Sequence, residues 1–492
     1  MTQPTNLTRQ LGLVGLTATG ICSMIGASIY VVPFMIQRNV PGIGPYVLPA
    51  FLFAAIPAIL AALAYTILSS AMPRAGGSYI YASRSIHPYL GFVASFSQWF
   101  GLSIVIGVIS YVVVPFFRDV ASALEWTNLA SLLDTDWIRV GLALALLWTF
   151  VYVNIRGVQL YERTLIPLMI LMFALGGVVI FAGLSFDHSD FATALEAKEG
   201  RTIIPMEAAF NWPTFLSASA LLFSSFIGFD SIAQAGGEAK NPTRNLPRAI
   251  GLAILIVSLF YIAFTYAVYH AVPWSFVASE AVTKDITAAG ILSYLLPSGL
   301  GILILLGAAI ALLNDLPAMI LSVSRLVFSW AEDGIFPKQI AAVHPVHHTP
   351  HRAIIFSGTM ATIGILGSHF AGDFFLGIDI MVTSMLVNFL LMCLSVLILP
   401  YRNPEIASGI KVFRSRKIQV VLSVTGTIIL SAFLLIHLAK DLNSDVSAWY
   451  FHSTPIWLIV MSLASLLFYF QWRKLKASGI DTQALFSQLP PE

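Results

Sequence analysis

Charged side chains are scarce in this sequence, and their scarcity excludes a large class of proteins. Asp, Glu, Lys and Arg together make up 10% of the 492 residues, whereas hydrophobic residues make up 58%. Soluble domains carry roughly 25% charged residues, so this chain has too few charges to cover the surface of a soluble protein of its length. We therefore predict an integral membrane protein whose surface contacts the lipid bilayer.

Cysteine and strong net charge are also lacking. Cys22 and Cys393 are the two cysteines, and both lie inside apolar segments, so we expect neither a disulfide framework nor a metal site. The net charge of +2 provides no field that would attract nucleic acid, so no nucleic-acid partner is expected. No nucleophile–base pair is apparent, so an enzyme is the least favoured class, and no cofactor is expected beyond a coupling ion, H⁺ or Na⁺.

Long apolar segments account for most of the chain. A membrane span needs about 20 mostly apolar residues. By that criterion we predict an all-α polytopic protein with twelve transmembrane helices, at residues 11–37, 44–71, 90–117, 137–156, 164–184, 212–236, 248–271, 298–329, 353–370, 375–399, 418–439 and 454–472. Most of the 26 Lys and Arg residues then fall on one side of the membrane. The positive-inside rule assigns that side to the cytoplasm, and both termini lie on it. We expect a multi-pass protein of the plasma (inner) membrane, as a monomer or a homodimer.

The first span contains a stretch that is poorly suited to a continuous helix. Gly20 and Gly26 lower helix propensity, small residues follow Gly26, and Pro33 lacks a backbone donor. In hydrocarbon, a broken helix is tolerated where its freed backbone groups meet protein, water or a ligand. One interpretation is an unwound segment at residues 23–28 that lines a polar cavity. The alternative is a close helix–helix contact through small residues.

The sixth span repeats this irregularity. Gly228 is followed closely by Asp230, an acid at mid-span that is costly in hydrocarbon unless it faces a polar interior. Matching breaks in two five-span halves are typical of inverted-repeat transporters with a binding site at the midplane. We therefore predict a 5+5 inverted repeat with discontinuous helices 1 and 6, formed by residues 1–200 and 201–400, and two peripheral helices within residues 401–492.

The two breaks also predict the kind of substrate. Unwinding near Gly26 exposes N–H groups at the start of the outer half-helix, and these attract an anion. Unwinding near Gly228 exposes carbonyl groups that suit an ammonium group. An anion site that faces a cation site matches a free α-amino acid, a zwitterion held by backbone groups rather than by charged side chains.

Several sequence motifs fall, in order, at matching spans: Met24–Pro33, Met72–Tyr79, Phe226–Asp230 with Glu238–Asn245, and Ser324–Pro337. Together they resemble the amino acid–polyamine–organocation (APC) transporters over roughly residues 7–440. The resemblance implies secondary active transport by alternating access. It also implies that the substrate carboxylate binds the break in span 1, at Ile25, Gly26, Ala27 and Ser28. By the same resemblance the amine binds the break in span 6, where a bulky residue often forms the outer gate, at Phe226, Ile227, Gly228 and Phe229.

The sequence departs from the family pattern at several positions. Ser28 replaces the second glycine of the usual Gly-x-Gly in span 1. Residues 164–184, the fifth span, contain no ionisable residue where many relatives carry a lysine, so lysine-based proton coupling is not supported. Residues 311–317 of span 8 offer Asn and Asp in place of the Ser and Thr hydroxyls of sodium-coupled relatives.

Acidic residues inside the predicted spans are candidates for ion coupling. Asp315 lies near the middle of span 8, two residues before Pro317. A buried carboxylate can carry a proton or bind a cation, so we favour ion coupling at Asp315 with Asn314 as its partner. The alternative is a structural carboxylate paired to a neighbouring helix. Asp230 has three open roles: selecting a cationic side chain, carrying a proton, or capping the broken helix by accepting N–H groups.

The loops yield weaker predictions. Residues 73–84 are predicted to form a short interfacial helix, and residues 238–248 a basic turn. The alternative for both is that their basic residues serve orientation alone. Residues 344–351 are rich in histidine and could bind a metal, but no Cys or carboxylate is interleaved, so a solvated loop is favoured.

The leading functional hypothesis is a transporter of amino acids or related amines, working by symport, antiport or exchange. One alternative is a transport-inactive nutrient sensor on the same scaffold, for which we would expect a large soluble signalling extension. The other is a channel, which usually needs rings of charge or repeated carbonyl filters.

Overall fold

The regular secondary structure of the described residues is helical. The computed structural model describes residues 7–26, 28–284, 286–371, 374–446 and 448–491. Within these residues the strand-like pairings are isolated bridges, Leu11 with Ala239 and Ala75 with Ala235. Twelve helical segments in the described residues are long and apolar enough to cross a membrane, which confirms the all-α class and the predicted number of spans.

The helices follow one another along the chain with short connections. The first are α1 (Leu13–Met24), α2 (Ser28–Asn39), α3 (Val47–Ala71), α4 (Gly77–Ser85), α5 (Pro88–Ala123), α6 (Thr127–Leu133), α7 (Asp136–Ile155), α8 (Val158–Ser185) and α9 (His188–Glu199). Next come α10 (Trp212–Leu222), α11 (Ser231–Gln234), α12 (Pro242–Ala271), α13 (Trp274–Thr283), α14 (Ala288–Leu292), α15 (Ser298–Glu332), α16 (His351–Ala371) and α17 (Phe374–Arg402). The last are α18 (Pro404–Ser408), α19 (Arg416–Asn443), α20 (Ser453–Ala477) and α21 (Thr482–Ser487).

The long helices α5 and α15 form the centre of the bundle. α5 packs against α15, α16 and α17, and α15 also packs against α1 and α8. The outward faces of α3, α12, α19 and α20 expose large apolar side chains, among them Leu52, Ile56, Leu255, Leu259, Leu435, Leu463 and Leu466. Such a surface is stable in contact with lipid and would aggregate in water.

The helix α4 differs from its prediction. A short helix is present in the predicted interfacial segment, but it is buried inside the bundle rather than lying on a membrane surface. It begins after Gly76, whose φ of +72° is left-handed and whose added Cβ would lie 2.0 Å from Ser329 Oγ. α4 packs against α5, α15 and α17. Ser78, Ser83 and Arg84 of α4 have hydrogen-bond partners inside the protein, which lowers the cost of burying these three side chains.

Buried ion pairs lie beside α4 and after α11. Arg84 donates to both carboxylate oxygens of Asp333, with Nη2 2.9 Å from Oδ1. Arg325 donates to both oxygens of Glu238, at 3.0 and 2.6 Å. Burial lowers the pKa of Arg84, but the contacts with Asp333 and Tyr79 raise it by more, so its net pKa lies above the usual value. Arg84 is therefore a charged structural partner inside the protein, and orientation is not its sole role.

The last described residues fold back under α4. The Nε atoms of Arg84 and Arg74 donate to the carbonyls of Gln488 and Pro490, at 3.1 and 2.9 Å. The Phe486 ring lies 4.8 Å from the Arg84 guanidinium carbon. The chain end is thus packed against the same guanidinium that Asp333 binds.

The Arg84–Asp333 pair is expected to contribute strongly to stability. Removing one partner of a buried pair leaves an uncompensated charge and costs about 3–5 kcal/mol. We expect Arg84→Met to lower the thermal midpoint of the detergent-solubilised protein markedly. Arg118→Met is the matched control, because Arg118 pairs with Asp119 where both side chains are more than a third exposed, and such pairs contribute about 0–1 kcal/mol. Equal effects of the two substitutions would contradict the assignment.

Candidate substrate site

Two described helices, α1 and α2, lie within the first span. α1 ends at Met24, and Ile25, with φ −87° and ψ 88°, is already outside helical geometry. α2 begins at Ser28, and Ala27 lies outside the described residues. The Met24 carbonyl accepts hydrogen bonds from the Tyr261 hydroxyl and from the Gly26 amide. The backbone groups at the end of α1 are therefore partly satisfied by a neighbouring helix, α12.

The sixth span changes conformation at a similar position. α10 ends at Leu222, residues 223–226 form a 3₁₀ turn, and Ile227 is extended. Gly228 has φ +138°, which an L side chain rarely adopts. An added Cβ at Gly228 would lie 2.2 Å from the Ser23 carbonyl oxygen. The residues between α10 and α11 are thus packed directly against the end of α1.

A small pocket, which we call the central cavity, lies between these two junctions. Its volume is about 50 Å³. Its walls come from the end of α1, from α5, from the residues after α10, and from α15 and α17. The lining residues are Ser23, Met24, Gly26, Val105, Val108, Ile109, Ser224, Ile227, Leu312, Asp315, Met319, Ile378 and Met381. The lining is therefore mostly apolar and contains one carboxylate.

The predicted site residues divide into those that line this cavity and those that support it. Gly26, Ile227 and Asp315 line it. The Phe226 ring packs 5.3 Å from that of Phe51 and 5.7 Å from that of Tyr261. The Phe229 ring stacks 5.0 Å from that of Phe389 and contacts Tyr65, at 5.7 Å. These two aromatic residues pack against neighbouring helices and are not among the lining residues.

Asp315 is buried with an unsatisfied oxygen. Its side chain is against the α1–α2 junction, since an added Cβ at Gly26 would lie 2.5 Å from Asp315 Oδ2. Among the described residues, Asp315 Oδ1 has no hydrogen-bond partner. The adjacent Asn314 donates from Nδ2 to Cys22 Sγ at 2.9 Å, and its Oδ1 also has no partner among the described residues. A buried carboxylate oxygen without a partner makes the ionised form of Asp315 expensive.

Asp230 has a different environment. Its Oδ1 accepts from the Gly228 amide at 3.2 Å, and its Oδ2 accepts from the Gln98 side-chain amide. It is fully buried and is not among the residues that line the central cavity. These contacts correspond to the third predicted role, in which the carboxylate accepts N–H groups where the helix is interrupted.

The Asp230 contacts extend into a buried polar network that the sequence analysis missed. Gln98 Oε1 accepts from Gln234 and Asn388, each at 3.3 Å. Gln234 Nε2 donates to Ser78 Oγ at 2.7 Å, and Asn388 Nδ2 donates to Tyr65 OH at 2.8 Å. The signal in the sequence was an amide side chain near the middle of span 3, Gln98, and another in span 10, Asn388.

The histidine-rich loop shows stacking rather than convergence. The rings of His344 and His347 are 4.6 Å apart and nearly parallel. In the part of the chain that the structure describes, no group of three or more His, Cys, Asp or Glu residues is arranged to hold a metal.

Comparison with known proteins places the chain among transporters. Residues 11–468 match the family model described as "Amino acid permease". Branched-chain amino acid permease BcaP of Bacillus subtilis (strain 168) is 24% identical over 82% of this chain and 84% of its own length. The methylthioribose transporter of the same organism is 24% identical over 83% and 84%. Cationic amino acid transporter 4 of Homo sapiens is 27% identical over 75% and 56%.

These relatives are transporters rather than enzymes, and the resemblance to the APC family is confirmed. The family match covers nearly the whole of a chain with twelve apolar helices. The protein is a multi-pass membrane protein that belongs to the amino acid permease family.

Proposed function

We propose that this protein is a secondary active transporter of amino acids or related amines that works by alternating access in the plasma membrane. The observation that carries the proposal is the central cavity, located where the α1–α2 and α10–α11 junctions meet and bordered by a buried carboxylate. A cavity between interrupted helices suits a carrier that exposes its site to one side at a time. A channel usually needs rings of charge or repeated carbonyl filters, whereas this cavity has one carboxylate among mostly apolar side chains, which favours the carrier.

The architecture that we propose is a 5+5 inverted repeat. The two interruptions fall in the first span of residues 1–200 and in the first span of residues 201–400. Residues 401–492 supply spans 11 and 12. In the apolar centre of each of these two spans, 28% of the residues are buried inside the protein, a smaller share than in the other ten spans. Both termini are proposed to be cytoplasmic, in a monomer or homodimer.

The substrate contacts are proposed at the two junctions. Ile25, Gly26, Ala27 and Ser28 would face the carboxylate, as the family resemblance implies. Phe226, Ile227, Gly228 and Phe229 would surround the amine, and Asp230 would hold that turn in shape through its bond with the Gly228 amide. The spatial contact of Gly228 with Ser23 supports placing both junctions in one site.

Ion coupling is proposed at Asp315, with Asn314 beside it. The support is geometric: the carboxylate is buried, borders the cavity and has an oxygen without a partner among the described residues. A proton or Na⁺ at this oxygen would remove the cost of an isolated buried charge.

Uptake into proteoliposomes tests the transport function. The purified full chain should accumulate labelled amino acids or amines above protein-free vesicles, and the uptake should depend on a pH gradient, a sodium gradient or internal substrate, each varied independently. Binding without movement of any solute would identify a sensor instead. Ion currents without saturation by substrate would identify a channel.

Gly228→Ala tests the need for the close contact between the two junctions. The new Cβ would collide with the Ser23 backbone, and the backbone conformation at φ +138° would be strained. A misplacement of about 1 Å at such a site costs on the order of 100-fold, so transport should fall by about that factor.

Gly177→Ala in α8 is the matched control, because no atom lies within 4 Å of its added Cβ. It should transport at the wild-type rate. If Gly228→Ala also transports normally, the proposed site is misplaced.

A further inference from the structure

We infer that Asp315 binds the ammonium group of the substrate directly, that a proton and the substrate alternate on this one carboxylate, and that the preferred substrate is a small apolar amine without a carboxylate group. The inference rests on the proposed transport function and narrows its substrate to amines, and for such a substrate it replaces the carboxylate contact proposed above at residues 25–28. It also departs from the expectation that backbone carbonyls hold the amine.

Several backbone carbonyls that could bind an ammonium group already accept hydrogen bonds within the protein. The carbonyls of Gly228 and Phe229 accept from the amides of Ser231 and Ile232, at 3.0 and 3.2 Å. The Met24 carbonyl accepts from Tyr261. Each of these three backbone acceptors therefore already has one hydrogen bond within the protein.

The second step concerns the side chains of the cavity. Ser23 Oγ already shares a hydrogen bond with Ser231 Oγ, at 2.8 Å. Asp315 Oδ1 is an acceptor in the cavity wall without a partner among the described residues. An ammonium group in the cavity would therefore find its charged partner in Asp315.

The third step is electrostatic. An ionised Asp315 with a bound amine is neutral overall, whereas an ionised Asp315 with a bound zwitterion leaves one net negative charge in a low-dielectric site, which is costly. The Oδ2 atom also lies against Gly26, the position where a substrate carboxylate would otherwise bind. Two carboxylates at this point would repel each other. A site that already holds the Asp315 carboxylate therefore favours a substrate without a carboxylate group.

The surroundings of Asp315 contain no basic side chain among the described lining residues. From α1, the titratable group that faces it is the Cys22 thiol. From α5 and α17 come aliphatic and methionine side chains, and from α7 the neutral Asn154, which donates to the Pro317 carbonyl at 3.2 Å. The described lining residues therefore supply no fixed cation to balance the charge of Asp315.

The size of the cavity points to a small substrate. The central cavity is small, about 50 Å³, and its walls are mostly aliphatic. Isobutylamine, which is valine without its carboxylate, is smaller than valine, and aliphatic walls suit its branched chain.

The shared carboxylate fixes the direction of coupling. When the alkylammonium ion binds, the Asp315 carboxylic acid loses its proton to water on the side to which the site is open, and the carboxylate pairs with the ammonium ion. The reverse exchange occurs on the other side. One proton therefore moves against each amine, which is antiport.

The experiment measures binding to the detergent-solubilised full chain by titration calorimetry with isobutylamine and, separately, valine. Runs at acid pH in two buffers of different ionisation enthalpy count the protons released. We expect the wild-type protein to bind isobutylamine more tightly than valine and to release about one proton per bound amine. Its affinity for the amine should rise about tenfold per pH unit in the pH range where free Asp315 is protonated.

Variants distinguish Asp315 from other titrating groups. Asp315→Asn should weaken amine binding by about 30-fold or more and abolish proton release, while Asp315→Glu should restore the release. Cys22→Ala should still release a proton, because the thiol is not the exchanging group. Thermal melts of each variant establish that it is folded.

Tighter binding of valine than of isobutylamine, or amine binding by wild type without proton release, would overturn the inference. Either of these binding results would leave the transport function standing, because uptake into proteoliposomes tests that function separately. Absence of uptake of every solute would instead overturn the transport function.

Discussion

The rest of this structure depends on one constraint: a helix interrupted inside a membrane must satisfy its freed backbone groups within the protein. Here each interruption supplies part of what the other needs. Gly228 packs against the Ser23 carbonyl, Asp230 accepts from the Gly228 amide, and Tyr261 donates to the Met24 carbonyl. A cavity remains between the two junctions, and its mostly apolar lining offers few groups that could bridge it by further hydrogen bonds.

Four buried acids show how differently this protein treats negative charge. Glu238 and Asp333 each receive a bidentate arginine, so their charge is cancelled within the protein. Asp230 receives amide donors, which stabilise a carboxylate without adding charge. Asp315 has neither at its Oδ1, among the described residues. The acid that borders the cavity is thus the one whose charge receives the least compensation from the described residues, whereas the other three hold helices and turns in place.

The sequence predicts much of this arrangement because its strongest signals are local. Runs of apolar residues give twelve spans, and Gly26, Gly228 and Asp230 indicate where two spans depart from helical geometry, since glycine and a mid-span acid are unfavourable in an ordinary membrane helix. The partners of Arg84 and Arg325 could not be predicted, because Asp333 and Glu238 are far away along the chain. For the same reason α4 was expected at the membrane surface: its polar residues look exposed until their distant partners are known.

The polar network around Gln98 has a consequence for motion. It joins side chains from α3, α4, α5, α11 and α17, and its members share acceptors, so the loss of one bond weakens the geometry of the next. With no bulk solvent available at this depth to replace a lost partner, a half-separated arrangement is less favourable than either a fully joined or a fully rearranged one. These segments should therefore switch between a small number of discrete states as a cooperative unit, instead of drifting apart through a continuum of partly opened shapes.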